Sequence, residues 1–286
     1  KVQTQYHPIC QKIEKEYPEK IDVIFKNTND GPGFCRNIGI ERAYCQKSPI
    51  LLFNDADDIS HKNRLKVVRE IFAQDHQVGV IYSTFKVIDE HGRYVSESKL
   101  TPSIVEILET YKNNPPQGKD AWIEIGTKTG YTNITSSTAV RTEIAYEYPF
   151  PHFRVAEDAH TWMRYSASGI KFAYTPRIPS LYRIPQDTVG SSSRSREGRV
   201  EFYKKMVYGH VEGFEKAIKI ALNNGGINKE HVNDLLVQFY LKLSETLYRE
   251  NEHEIVKQLI EKANAIAFDK VKDYSGNYKI GTFNLK

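Results

Sequence analysis

Residues 50–65 read ILLFNDADDISHKNRL. The apolar run Ile50–Phe53 has the composition of a buried strand. It nevertheless delivers three carboxylates, Asp55, Asp57 and Asp58, into four consecutive positions. Like charges packed that closely repel unless a cation lies among them. A solvated acidic turn accounts for these residues as well. The sharper alternative is a hard-oxygen site for Mg2+ or Mn2+, with part of its shell supplied by a phosphate-bearing ligand. The loop is not an EF-hand, because Ile59 takes the fifth position and the required glycine is missing.

Around this stretch the chain alternates helical and extended patterns. PICQKIEKEYPEK carries Ile9, Ile13 and Tyr17 at helical spacing, and IDVIF (21–25) reads as a short buried strand. A turn, KNTNDGPG, opens a helix near Phe34, and Arg64–Ala73 is a helix. VGVIYSTFKVIDEHGRYVSE reads as two strands and a hairpin with Gly92 at the turn, PSIVEILETYKNN as helix, and AWIEI as strand. GYTNITSSTAVRTEIAYE passes from a polar segment into a short helix, and AEDAHTWMRYSASG is a helix ended by Gly169. IKFAYT and SLYRI follow as separate strands. This order predicts a mixed, mostly parallel α/β sheet flanked by helices, with antiparallel strands toward one side and ligands at the carboxyl ends of strands. Beyond a Ser/Arg-rich stretch come three helical patterns, roughly 200–222, 231–249 and 254–267, which form an α-helical C-terminal extension.

Composition sets outer limits. Of 286 residues, 40% are apolar and 27% charged, with a net charge of +4, ordinary for a soluble globular protein and too mild for a general nucleic-acid binder. No apolar run is long enough for a transmembrane helix, and the opening KVQTQYHPICQKIEKEYPEK has no signal-peptide core. The three cysteines have no metal-ligand spacing and read as reduced cytoplasmic thiols, with Cys35 and Cys45 expected in buried packing.

Three further constellations accompany the acidic turn. GPGFCRN (31–37) is neither a P-loop nor a complete G-x-G-x-x-G, yet it sets Arg36 near a helix start, where an anion is favoured. VAEDAHTWMR (155–164) opens a helix with Glu157 and Asp158, which the helix dipole alone would favour. YRIPQDTVGSSSRSR carries Arg183, Arg194 and Arg196 beside serines, suited either to a solvated loop or to closing over a phosphate.

Taken in order, GPGFCRNIGIERA, ILLFNDADD, VIDEHGRY, SSTAVRTEI, VAEDAHTWMRYSASG and LYRI resemble the family 2 glycosyltransferases of the GT-A fold over about residues 20–195. The resemblance implies a GT-A-like domain over 1–195, incomplete at its N-terminus because the family's first nucleotide-binding strands have no counterpart, and a helical region over 196–286. It implies an inverting, metal-dependent hexosyl transfer, as in polysaccharide biosynthesis, from a nucleoside-diphosphate sugar (a UDP-sugar favoured) to a glycan or lipid-linked acceptor. By the same resemblance Asp158 is the general base, and Asp57 with Asp55 holds Mn2+ or Mg2+. Asp55, Arg36, Asn37 and Arg183 line the donor diphosphate side, and Glu157 and Asp58 support acceptor or donor. Gln186 stands where the family often has a histidine near the metal. The protein is expected in the cytoplasm or at the inner face of the membrane, with homodimerisation through the C-terminal helices as an option. A catalytically silent glycan- or partner-binding module and a nucleotidyltransferase are the competing readings.

Overall fold

The computed structural model describes residues 3–186 and 193–280. In chain order the elements are α1 (Gln3–Glu16), α2 (Pro32–Cys45), β1 (Ile50–Leu52), α3 (Arg64–Gln74), β2 (Val78–Ile88), α4 (Pro102–Asn113) and α5 (Ala121–Glu124). There follow β3 (Thr138–Arg141), α6 (Thr142–Glu147), α7 (Glu157–Ala167), β4 (Lys171–Arg183), α8 (Ser193–Glu197), α9 (Arg199–Asn223), α10 (Val232–Arg249) and α11 (His253–Ser275). The expected class holds: a mixed α/β sheet flanked by helices, with a helical C-terminal extension.

The sheet has the order β1-β3-β2-β4. β3 runs antiparallel to β1 and to β2, and β4 runs parallel to β2. Three strands therefore share one direction and β3 alone opposes them. The reversed strand lies inside the sheet rather than toward one side as expected. This direction rule positions the site. The carboxyl ends of β1, β2 and β4 and the amino end of β3 all meet at one edge, which gathers the acidic turn, Asp89, Arg183 and Ser136.

Several elements differ from the sequence reading for identifiable reasons. VGVIYSTFKVI is one strand, buried on both faces, as a central strand must be. IKFAYT and SLYRI are also one strand. Its register against β2 shifts between Ser83–Thr175 and Phe85–Ser180, so residues 176–179 bulge around Pro176 and Pro179, which cannot donate to a ladder. AWIEI is helix rather than strand, continued by a single π-helical turn over Ile125–Thr129. IDVIF is not a strand: it pairs with no other strand, and Ile24 and Phe25 are exposed. The apolar stripe of Ile9 and Ile13 on α1, with Tyr17 just past its end, is likewise exposed. Cys35 and Cys45 are exposed, not buried.

One core cluster runs from the sheet (Val80, Phe172) through Trp122 and Trp162 into the C-terminal helices, where Phe214 and Phe239 stack with centroids 4.2 Å apart. Helix α9 lies close against α7 because two of its positions have no side chain. A Cβ at Gly213 would sit 2.7 Å from the His160 Cα, and one at Gly209 would sit 3.0 Å from the Ala156 Cβ. Helix α11 extends past its expected end but breaks at Ala267 (φ −162°, ψ 92°), where the helical pattern in the sequence stops. Among the described residues no helix is long and apolar enough to cross a membrane.

Candidate active site

The motif GPG is explained by how α2 enters the site. Gly31 precedes the helix at φ 88°, and Pro32 takes the first helical position, where its missing N–H is no loss. At Gly33 any Cβ would lie 2.5 Å from the Pro151 carbonyl oxygen and 3.5 Å from the Glu157 Cγ. The first turn of α2 thus presses against the segment leading into α7. One turn on, Asn37 fixes that approach: its amide donates to the Phe150 carbonyl at 2.9 Å and accepts from the Phe150 N–H at 2.8 Å.

Arg36 then spans two motifs far apart in sequence. Its Nη1 donates to Glu157 Oε1 at 2.7 Å and its Nη2 to Asp55 Oδ1 at 2.8 Å. Burial opposes the guanidinium's charge, but Asp55 and Glu157 together hold it firmly protonated. Glu157 is buried, and burial with the adjacent Asp158 charge pushes its carboxyl well above the ordinary range against the pull of Arg36. A carboxylate poised this way is typical of functional sites.

The acidic turn is pinned from the neighbouring strands. The Asp55 N–H donates to Ser136 Oγ at 2.8 Å, just before β3. Arg183, at the end of β4, donates its backbone N–H to Asp58 Oδ1 at 2.8 Å. Its side chain donates to the carbonyls of Asp57 and Asp89, both at 2.7 Å. Asp58 is buried, and burial, aided by Asp57 and Asp55, pushes its carboxyl up to about 6. Asp57 is exposed and its carboxylate makes no hydrogen bond among the described residues.

Whether these groups suit a divalent cation can be judged from their free atoms. Among the described residues no three acidic, histidine or cysteine side chains are arranged to hold a metal by themselves. Asp58 Oδ2 is buried without a partner, and the Asp57 carboxylate is open. That donor set fits a cation held by one or two carboxylates whose remaining positions are filled by water and substrate phosphates. Gln186, at the place of the expected histidine, donates its N–H to Glu90 and its side-chain amide to the Ile184 carbonyl.

Asp158 opens α7 next to Glu157. Its Oδ1 accepts the Ala159 N–H at 2.8 Å, and its Oδ2 accepts the Tyr131 hydroxyl at 2.5 Å. Ala156, immediately before, is left-handed at φ 61°, a strained conformation for a residue with a Cβ and one that gathers at functional sites. Tyr182, on β4, lies within the field of both acidic groups. Burial raises its phenol, and the charges of Asp158, Asp58, Asp55 and Asp57 all add to that shift.

The structure therefore brings Arg36, Asp55 and Glu157 into direct contact, and ties Asp57, Asp58 and Arg183 together at the same sheet edge. Tyr131, Ser136, Asp89 and Tyr182 were not singled out by sequence: the last three lie within SSTAVRTEI, VIDEHGRY and LYRI without a role assigned to them, and Tyr131 lies outside the matching segments. Arg194 is engaged elsewhere, by Glu250 at 3.4 Å and over the Tyr203 ring. Residues 187–192, most of the Ser-rich stretch expected to close over a phosphate, lie outside the described residues.

Residues 5–133 match the model of the family described as Glycosyl transferase family 2. Over these residues the chain is similar to the family 2 glycosyltransferases. No curated protein matches the chain. The matched glycosyltransferase segment contains Arg36, Asn37 and the whole acidic turn but ends before Glu157 and Asp158. What joins α7 to that segment is the geometry, above all the two-way contact of Arg36.

Proposed function

We propose that this glycosyltransferase moves a sugar from a nucleoside-diphosphate donor, a UDP-sugar being favoured, to a hydroxyl of a glycan or lipid-linked acceptor, with inversion at the anomeric carbon. The observation that carries the reading is Arg36, which bridges Asp55 of the acidic turn and Glu157 of α7 at 2.8 and 2.7 Å. It sets the acidic turn and the candidate base on two sides of one site. A bound divalent cation, held by Asp57 with Asp55, would neutralise charge on the departing diphosphate. Asp158 takes the acceptor proton as the acceptor oxygen bonds to the anomeric carbon. The bond to the diphosphate breaks, and its electron pair leaves with the phosphate oxygen. Such a base contributes ~10²–10⁴-fold to rate. Arg36 places a fixed positive charge beside Asp55, on the diphosphate side, while Asn37 and Arg183 hold α2 and the acidic turn in register. Glu157, resting on Arg36, supports acceptor or donor.

Binding can be tested apart from chemistry. Mn2+ with UDP is expected to raise the melting temperature by several degrees, because ligand at about 100 Kd stabilises the folded state by about 2.7 kcal/mol. An unchanged melting temperature with Mn2+ and UDP, GDP or dTDP would count against a nucleotide-sugar site and favour a binding module.

A further inference from the structure

We propose that Tyr131 is a positioning residue for the base: its phenol holds one oxygen of Asp158, so that the carboxylate presents a fixed face to the acceptor. This rests on the reaction proposed above. With Tyr131 on Oδ2 at 2.5 Å and the Ala159 N–H on Oδ1 at 2.8 Å, both oxygens are restrained, and neither restraint is a charged side chain.

The loop carrying Tyr131 is built to be rigid. Gly130 has φ 76°, and its N–H donates to the Ile125 carbonyl at 2.9 Å, closing the π-helical turn. A Cβ there would meet Lys242 Cε at 3.5 Å, and the Lys242 ammonium is itself buried between Glu106 and Glu245. Beyond Tyr131, the Thr132 carbonyl accepts the Tyr111 hydroxyl of α4. The Asn133 carbonyl accepts the Trp162 indole N–H at 2.9 Å, and Trp162 lies on α7, the helix that Asp158 opens. The phenol is thus located relative to Asp158 by the scaffold rather than by its own flexibility. Burial, with the Asp158 charge, raises the Tyr131 phenol well above its ordinary value, so it remains a donor. The other titratable groups facing Asp158 are Glu157 beside it, itself held by Arg36, Tyr182 from β4 and His210 from α9. None of these has a hydrogen bond to its carboxylate among the described residues.

The test is Tyr131→Phe in the full chain, which keeps the ring and removes only the hydroxyl. Loss of the donor frees one carboxylate oxygen, so kcat falls on the order of tenfold with donor KM unchanged. Carbon-13 NMR of labelled aspartate, assigned with Asp158→Asn, reads the contact without turnover: the Asp158 carboxyl resonance is expected to move in Tyr131→Phe. Tyr111→Phe removes a buried hydroxyl that bonds the same loop from α4 and is expected to leave that resonance in place. A resonance unmoved in Tyr131→Phe, or moved equally by Tyr111→Phe, overturns the proposal. Should Tyr131→Phe not fold, the wild-type protein decides: a far-downfield hydroxyl proton that vanishes in Asp158→Asn supports the contact, and its absence overturns it. Failure of the wild type to turn over any donor would overturn the reaction reading, while the NMR resonance would still judge Tyr131.

Discussion

Replacing Arg36 by methionine tests the contact that joins the acidic turn to α7. Its two arms differ in surroundings. In the Glu157 arm the side chains are 12% and 9% exposed, whereas Asp55 in the other arm is 40% exposed. Removing one partner of a buried pair destabilises by about 3–5 kcal/mol, because the other charge is left unpaired. The exposed arm adds less than about 1 kcal/mol after solvent screening. A loss of about 4 kcal/mol is therefore expected at pH 8. The loss depends on pH in a defined direction. Glu157 has a folded value raised above its ordinary 4.5, so its ionisation weakens the fold as pH climbs from about 4.5 through the folded value. Without Arg36, burial and the Asp158 charge act unopposed and push that value higher still. The destabilisation must then grow across this window, and at pH 5, where Glu157 carries its proton, it should fall to roughly half. Urea denaturation followed by circular dichroism at pH 5 and pH 8 measures both values. Arg36→Met/Glu157→Gln should recover most of the loss at pH 8. Equal losses at the two pH values, or a double variant no more stable than Arg36→Met, would refute the reasoning.

Two other substitutions separate binding from packing. Asp57→Asn is expected to leave stability within about 0.5 kcal/mol, since Asp57 is exposed, while abolishing the Mn2+-dependent part of the melting shift with UDP. Gly213→Ala puts a Cβ 2.7 Å from the His160 Cα, so α9 must move off α7, at about 1–3 kcal/mol in thermal or urea unfolding. An unchanged midpoint would mean that the helix pair is looser than the geometry says.

The parts of the site that could be read from sequence are those where local chemistry conflicts with local structure. A greasy strand ending in Asp55, Asp57 and Asp58 marks the turn that Arg36 and Arg183 hold at the sheet edge. GPG before Arg36 marks a close backbone approach, which Gly33 makes against Pro151. Residues that act through distant partners were not legible. Tyr131 sits in an ordinary polar loop, and its contact with Asp158 arises from the π-helical turn and the Trp162 bond. The strand errors share one cause: alternation shows that a segment can be extended but not what it pairs with. IDVIF has the composition of a strand and pairs with none, whereas β4 stays a single strand because its two prolines fall in a bulge. The helical pattern around Cys35 and Cys45 located α2 but did not fix which of its faces is covered.

The most direct measurement is donor turnover by the wild type and Asp158→Asn side by side, across UDP-, GDP- and dTDP-sugars with Mn2+ or Mg2+ and a mixed set of glycan acceptors. The account predicts nucleotide release by the wild type with at least one donor. In Asp158→Asn it predicts release lower by ~10²–10⁴-fold, with the melting shift from Mn2+ and UDP retained. Near-normal turnover in Asp158→Asn would contradict the assignment of the base, and no turnover of any donor by the wild type would contradict glycosyl transfer itself.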